Sequence, residues 1–364
     1  MLTFLLFVTL VLAAANGAND NIKGAATLLG SGLVRYRSAI ALATIATALG
    51  GVVSIYLAHG LLVAFSGKGI VPDGTTTSLP FLLSVGLAAG ATIWAATRLG
   101  LPVSTTHALL GGLVGAGFAA VPGAVHLDGA LQSILMPLLL SPAVALVLSM
   151  GLIPLLRRAR SRAATEAPCI CVESTASIAT DGSAAIAQPA LTLGRAGDVA
   201  CQPAPTRAVH AVDGVAWVDR LHFVSAAAVS FARGLNDTPK IAALMVAGGA
   251  LGAGGSSLAV VLAMSIGGWL AASRVAETLG YRVSRMDASE GLAGNLVTSF
   301  LVIVASRFGM PVSTTHVSTG AIFGIALRNG SGHAAVIRNI VLAWVATLPL
   351  AALLAYGLRA LLFS

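Results

Sequence analysis

Long apolar stretches dominate this chain. Residues 38–65, 79–97, 131–156, 257–273 and 335–363 each approach or exceed the ~20 apolar residues that a helix needs to cross a bilayer. The runs are continuous rather than alternating, which predicts helices and excludes a β-barrel. Between 157 and 214 the pattern stops, and the polar, Ala/Ser/Thr-rich text reads as a mobile linker. One segment breaks the pattern from within. "AAANGANDNIKGAATLLGSG" (13–32) places Asn16, Asn19, Asp20, Asn21 and Lys23 in the middle of a span that is otherwise apolar.

The two sides of the linker resemble each other. "ATRLGLPVSTTH" (96–107) matches "ASRFGMPVSTTH" (305–316) at 9 of 12 positions. "GANDNIKGAA" (17–26) matches "GLNDTPKIAA" (234–243) at Gly, Asn, Asp, Lys and both alanines. Two matches in the same order mark an internal duplication, so removing the first copy as a signal peptide would discard half of it. The missing positive n-region argues the same way. Each half is read as five segments: 2–34, 38–65, 79–97, 103–122 and 131–156, then 222–252, 257–273, 290–306, 311–328 and 335–361. With both termini outside, the inside ends hold Arg35, Arg37, Arg98, the arginine-rich linker, Arg274, Arg282, Arg285, Arg328 and Arg338. The outside ends hold only Lys68, Arg307 and Arg359. That bias places the linker in the cytoplasm. An odd number of crossings inverts the second half, and inverted repeats place a substrate site at the midplane between them.

Composition agrees. The chain has 364 residues, 57% hydrophobic and only 9% charged, where soluble domains run near 25% charged. Its net charge of +8 sits in loops, so it signals cytoplasmic ends rather than nucleic acid. Cys169, Cys171 and Cys201 all lie in the linker, without the second pair that a zinc site needs, and are read as free thiols. The expected fold is all-α: a polytopic membrane protein of two inverted repeats with broken or re-entrant helices and roughly ten to twelve segments. The N-terminal repeat is 1–156, the polar cytoplasmic linker 157–220 and the C-terminal repeat 221–364.

Two devices carry chemistry. Asp20 and Asp237 lie inside spans, each with a lysine three residues on (Lys23, Lys240), where i,i+3 spacing lets the pair share a helix face. An isolated ionised side chain at the bilayer centre costs about 2.5–3.5 kcal/mol, so these groups are expected to pair. Pro239, and Gly17 with Gly24, predict that both helices break there and free backbone groups for a ligand. The second device is "PVSTTH". Pro suits the first turn of a helix and Ser its cap, so a helix starting here aims free N–H groups at whatever precedes it. Ser104, Thr105, Thr106, Ser313, Thr314 and Thr315 add six hydroxyls, and two such ends facing each other suit a tetrahedral oxyanion. His107 and His316 are read as structural hydrogen-bonding groups.

These motifs resemble the two signature repeats of the inorganic phosphate transporter (PiT) family, over both membrane halves and excluding the linker. The resemblance implies a cation-coupled symporter of inorganic phosphate, not an enzyme, with no cofactor and H⁺ or Na⁺ as coupling ion. Its substrate positions fall on Asn19, Asp20, Ser104, Thr105, Thr106, Asn236, Asp237, Ser313, Thr314 and Thr315, joined here by Lys23 and Lys240. Asp20, Asp237 and Asn295 are the coupling-ion candidates; no metal is assigned. The chain departs from the family's usual "GANDVANA" at both lysines, and from a family Glu at Thr47 and at Asn295.

The reading is therefore a phosphate carrier working by alternating access in the bacterial plasma membrane. Its partners are phosphate and the lipid bilayer, without nucleic acid and with a homo-oligomer allowed. A sulfate or other oxyanion permease is the alternative. An intramembrane aspartyl protease expects Tyr-Asp and Gly-x-Gly-Asp contexts without symmetry, and a channel has no use for a charge-balanced duplicate. With two lysines facing two aspartates, the empty site is expected to be neutral, so the ammonium groups stand in for sodium and proton coupling is favoured.

Overall fold

A computed structural model describes residues 1–130, 135–174, 189–196, 207–211 and 216–361. The first half contains α1 (Leu2–Asp20), a 3₁₀ turn (Asn21–Ala25), α2 (Ala26–Gly30), α3 (Tyr36–Leu57), α4 (His59–Ala64), α5 (Asp73–Thr76), α6 (Leu79–Arg98), α7 (Thr105–Ala120), α8 (Leu127–Ala130) and α9 (Met136–Glu166). Three strands follow: β1 (Pro168–Ser174), β2 (Pro189–Arg195) and β3 (Arg207–Ala211). The second half contains α10 (Ala216–Ala247), α11 (Ala253–Ala271), α12 (Ser273–Glu277), a π turn (Thr278–Arg282), α13 (Ala288–Arg307), α14 (Thr314–Asn329) and α15 (Ala334–Leu361). Seven of the described helical stretches are long and apolar enough to cross a membrane. The charged 32-residue α10 and the two 16-residue helices α7 and α14 complete ten segments.

The halves interleave. α1 packs on α11 while its counterpart α10 packs on α3; α7 packs on α15 while its counterpart α14 packs on α9. Glycine makes the first of these crossings tight. A Cβ on Gly17 would lie 2.0 Å from the Met264 carbonyl oxygen, and one on the matching Gly234 would lie 2.0 Å from that of Thr47. The small residues thus bring backbones together as lipid-immersed helices require. Two apolar cores flank the polar segment: one takes Leu5 to Ala15 of the first helix, the other Ile22 to Leu29 beyond its break. Asn16 to Asn21 lie between them.

Three expectations need correction. Only the first Asn-Asp helix is interrupted. α1 gives way at Asp20 to the 3₁₀ turn, whereas α10 runs unbroken through Pro239. Gly24 lets the turn of the first copy press on α10, its would-be Cβ lying 2.2 Å from Ser230 Oγ. Proline in the second copy removes one hydrogen bond, which neighbouring helices can tolerate. The linker is not featureless either. α9 extends into it to Glu166, and the strands pair antiparallel in the order β2-β1-β3. Finally, Cys169 is disulfide-bonded rather than a thiol; Cys201 lies outside the described residues.

Candidate functional site

The two Asn-Asp motifs meet between the cores. The Asn16 side-chain amide donates to Asp20 Oδ2 at 3.0 Å and to Asp237 Oδ2 at 3.4 Å, so one amide joins the two carboxylates. It also donates to Thr105 Oγ1 at 2.7 Å. Asp20, Lys23, Arg233, Asp237 and Lys240 are all buried, none more than 3% exposed. At that burial each charge must be paired and hydrogen-bonded.

Each lysine reaches across to the other half. Lys23 Nζ pairs with Asp20 and donates to Asn19 Oδ1 at 3.1 Å, the Val103 carbonyl at 3.1 Å and Thr315 Oγ1 at 2.6 Å. Lys240 Nζ lies 3.6 Å from Asp237 Oδ1 and donates to the Val312 carbonyl at 2.7 Å and Thr106 Oγ1 at 2.8 Å. Thr315 Oγ1 in turn donates to the Val103 carbonyl at 2.8 Å, and Thr106 Oγ1 to that of Val312 at 3.3 Å. The asparagines hold the same loops. Asn19 donates to Thr97 Oγ1 at 2.9 Å and accepts from the Val103 N–H at 3.0 Å. Asn236 donates to the Val312 carbonyl at 3.1 Å and accepts from Ser306 Oγ at 3.2 Å.

The Ser-Thr-Thr segments start helices as expected. Ser104 and Ser313 are the N-caps of α7 and α14, each accepting from the backbone N–H of the following histidine at 3.2 Å. Each oxygen gives one lone pair to the cap, and its O–H remains a donor. Thr105 donates to Asp20 Oδ2 at 3.2 Å and Thr314 to Asp237 Oδ2 at 3.5 Å. At the junction of the two helix starts, the His107 and His316 rings lie 4.5 Å apart, with His316 against Trp344 at 4.1 Å. The two histidine rings and the Trp344 indole pack against one another there.

Two placements differ from expectation. Asn295 stands in a separate polar cluster, accepting from Thr27 Oγ1 at 3.0 Å and donating to Ser225 Oγ at 3.3 Å, with His222 Nε2 3.0 Å from Thr27. Those partners, and neither aspartate, take its hydrogen bonds. The second difference is a residue that sequence reasoning missed. Arg233 is 1% exposed and lies 3.5 Å from Asp237 Oδ2. It donates to Asn21 Oδ1 at 3.1 Å and to the Asn16 side-chain oxygen, and it meets Thr47 Oγ1 at 3.5 Å. The signal was present: a charge inside an apolar span, one turn before Asp237. Two carboxylates against three cations leave the site at +1, not at the neutrality expected from the lysines alone.

Two helix N-termini, three cations and the Thr105 and Thr314 hydroxyls thus meet at two buried carboxylates. Comparison with known proteins agrees with this chemistry. The model of the Phosphate transporter family matches residues 16–355. A Rhizobium meliloti protein described as "Probable low-affinity inorganic phosphate transporter" is 28% identical over 372 residues, covering 97% of this chain and 94% of its own. The chloroplastic inorganic phosphate transporter 2-1 of Arabidopsis thaliana is 27% identical, covering 93% of this chain and 68% of its own. A solved structure titled "The sodium-dependent phosphate transporter" has the same fold, with a TM-score of 0.76 at 22% identity over 100% of this chain and 98% of that one.

Proposed function

The chain belongs to the phosphate transporter family, and from that premise we propose that it carries inorganic phosphate by alternating access at the buried polar cluster between its two repeats, without sodium. The single observation behind the sodium-free reading is the surroundings of Lys23. A carboxylate, an amide oxygen, a backbone carbonyl and a hydroxyl, drawn from both halves, converge on its ammonium. All-oxygen sets of this kind are what a hard cation takes. Lys240 repeats the arrangement with Asp237, Val312 and Thr106. The ammonium groups are tethered cations that stand where a coupling ion would otherwise bind.

Charge then favours the anion's form. A site at +1 is neutralised by H₂PO₄⁻, whereas doubly charged sulfate leaves it at −1. The monoanion also brings its own O–H groups, which can donate to Asp20 and Asp237. Those aspartates are the proposed place of proton coupling. An arriving phosphate accepts from the first-turn N–H groups of α7 and α14 and from Thr105, Thr106, Thr314 and Thr315. It draws the lysines from their aspartates, loosening the contacts that tie each lysine to the opposite half. That exchange links occupancy to movement of one repeat against the other.

The test is uptake of labelled phosphate into proteoliposomes at constant ionic strength, with sodium replaced stepwise by a large organic cation. A flat response is expected; steep dependence on sodium overturns the tethered-cation reading. Counterflow against unlabelled phosphate, arsenate and sulfate tests the anion, with exchange expected for the first two.

A further inference from the structure

The α6–α7 and α13–α14 hairpins end in matched tips, but the tips are held differently. The first lies against α12 and the turn after it: a Cβ on Gly100 would lie 3.2 Å from the Arg274 carbonyl oxygen and 3.3 Å from Thr278 Oγ1. Three side chains bond to carbonyls of this tip. Thr278 donates to that of Gly100 at 2.8 Å, Trp344 to that of Pro102 at 3.1 Å, and Arg274 to that of Arg98. The second tip meets α4, where Gly309 and Gly60 touch backbone to backbone, a Cβ on Gly60 lying 3.0 Å from the Gly309 Cα. Among the described residues no side chain bonds to a carbonyl of 307–311, and the N–H groups of Gly309 and Met310 bond within their own hairpin. With the N-terminus outside, α11 runs inward to α12 and α3 runs outward to α4. The bonded tip therefore lies on the inner side of the Asn-Asp site and the bare one on the outer side.

A second difference lies over the lysines. Phe65, at the end of α4, is 1% exposed, and its ring centre lies 5.6 Å from Lys240 Nζ, within cation–π range. Its neighbours Leu62 and Ser66 line a pocket of about 170 Å³ together with Ala243 and Ala247 of α10. Those alanines lie one and two turns outward of Lys240, so Phe65 parts the pocket from the ammonium. The offset that matches Gly17 to Gly234 and Gly50 to Gly267 puts Arg282 where Phe65 stands. Arg282 turns to Glu277 at 2.6 Å, and among the described residues no ring covers Lys23 in the same way. The outer side is closed by a ring and a glycine contact, the inner side by hydrogen bonds.

We infer that Phe65 is the outer gate of the site, a ring that leaves Lys240 as Gly309 parts from Gly60, and that Thr278 holds the matching inner gate shut. The inference rests on the alternating-access reading above. External phosphate binds only the outward-open form, so its apparent affinity scales with that form's share. Removing the ring makes the outward-open form easier to reach, whereas removing the Thr278 hydroxyl favours the inward-open one. The two changes therefore move external affinity in opposite directions, which general damage to packing does not do.

The test is the concentration dependence of labelled phosphate uptake by intact cells that lack their own phosphate carriers and express the full chain. Phe65→Ala is expected to lower the external KM by about fivefold, and Phe65→Leu, which keeps apolar bulk but loses the aromatic face, by about twofold. Thr278→Val is expected to raise it by up to about fivefold, the equivalent of one hydrogen bond. Thr278→Ser keeps the donor and is expected to stay near the wild type. The inference is overturned if the Phe65 and Thr278→Val variants shift KM in the same direction, or if neither Phe65 variant shifts it. Wild-type cells that take up no phosphate overturn the transport reading itself, so the two failures are told apart.

Discussion

Residues 16–23 and 233–240 carry the same frame at the same offset, Asn-Asp followed three residues later by Lys, and yet they are built differently. The first copy opens on Asn16 and its helix breaks at Asp20. The second opens on Arg233 and its helix continues. Asn16 and Arg233 occupy matched positions and bond to each other, the guanidinium donating to the amide oxygen. Duplication alone would have placed two asparagines, or two arginines, against each other across the pseudo-axis. Two buried guanidiniums would repel, and two amides would leave the site with one positive charge fewer. The asymmetric pair bonds the two side chains to each other and adds one positive charge to the site.

The comparison breaks most severely at Arg233. Arg233→Asn restores symmetry but strips Asp237 of one of its two cationic partners, which costs up to about 3–5 kcal/mol. Thermal unfolding in detergent and phosphate uptake are both expected to fall sharply, while the swap of Asn16→Arg with Arg233→Asn recovers part of the loss. A swap no better than the single variant would mean that the two positions are not interchangeable halves of one device.

Next come the lysines. Lys23→Asn with Lys240→Asn is expected to lower uptake in sodium-free medium and to create a sodium requirement, read as an uptake rate that climbs with sodium. Of the single variants, Lys23→Asn is expected to be the more damaging. Lys23 touches its aspartate and holds three other oxygens, whereas Lys240 stands 3.6 Å from Asp237. Equal effects would show that the broken helix confers no advantage on its lysine.

Smaller effects test where the halves are alike. Thr106→Val and Thr315→Val each remove a hydroxyl that bridges to the other repeat, so phosphate affinity is expected to drop by about 1 kcal/mol in each case. Ser104→Ala and Ser313→Ala delete matched N-caps at a cost of about 1 kcal/mol. That loss should appear in thermal stability more than in phosphate affinity, since the contact each oxygen is seen to make is the cap. A larger affinity loss from the serines than from the threonines would return the serines to the binding surface.

The membrane faces differ as well. At the start of α13, Asp287 and Glu290 form a capping box, and Arg157 of α9 pairs with both carboxylates. The matched positions before and within α6 are Ser78 and Phe81, which can form no such latch. One end of the molecule is tied by ions and the other by apolar packing.

Much of this was legible without coordinates. Continuous apolar runs dictated an all-α membrane fold, because only helices satisfy their own backbone in lipid over such lengths. The paired motifs identified the duplication, and i,i+3 spacing put each lysine beside its aspartate. Capping chemistry located the starts of α7 and α14 at Ser104 and Ser313. These are local properties, written in neighbouring residues, and a sequence carries them whole. Other features arose only when distant segments met. Arg233, which sequence reasoning passed over, joins the site because folding sets it against Asn16, 217 positions away. Asn295 proves to stand apart from both aspartates, hydrogen-bonded to Thr27 and Ser225. Each lysine's crossing to the opposite repeat follows from the interleaving of helices, which no spacing within one repeat encodes. Pairing in a membrane interior depends on which buried groups are left to satisfy one another, and only the tertiary structure decides that.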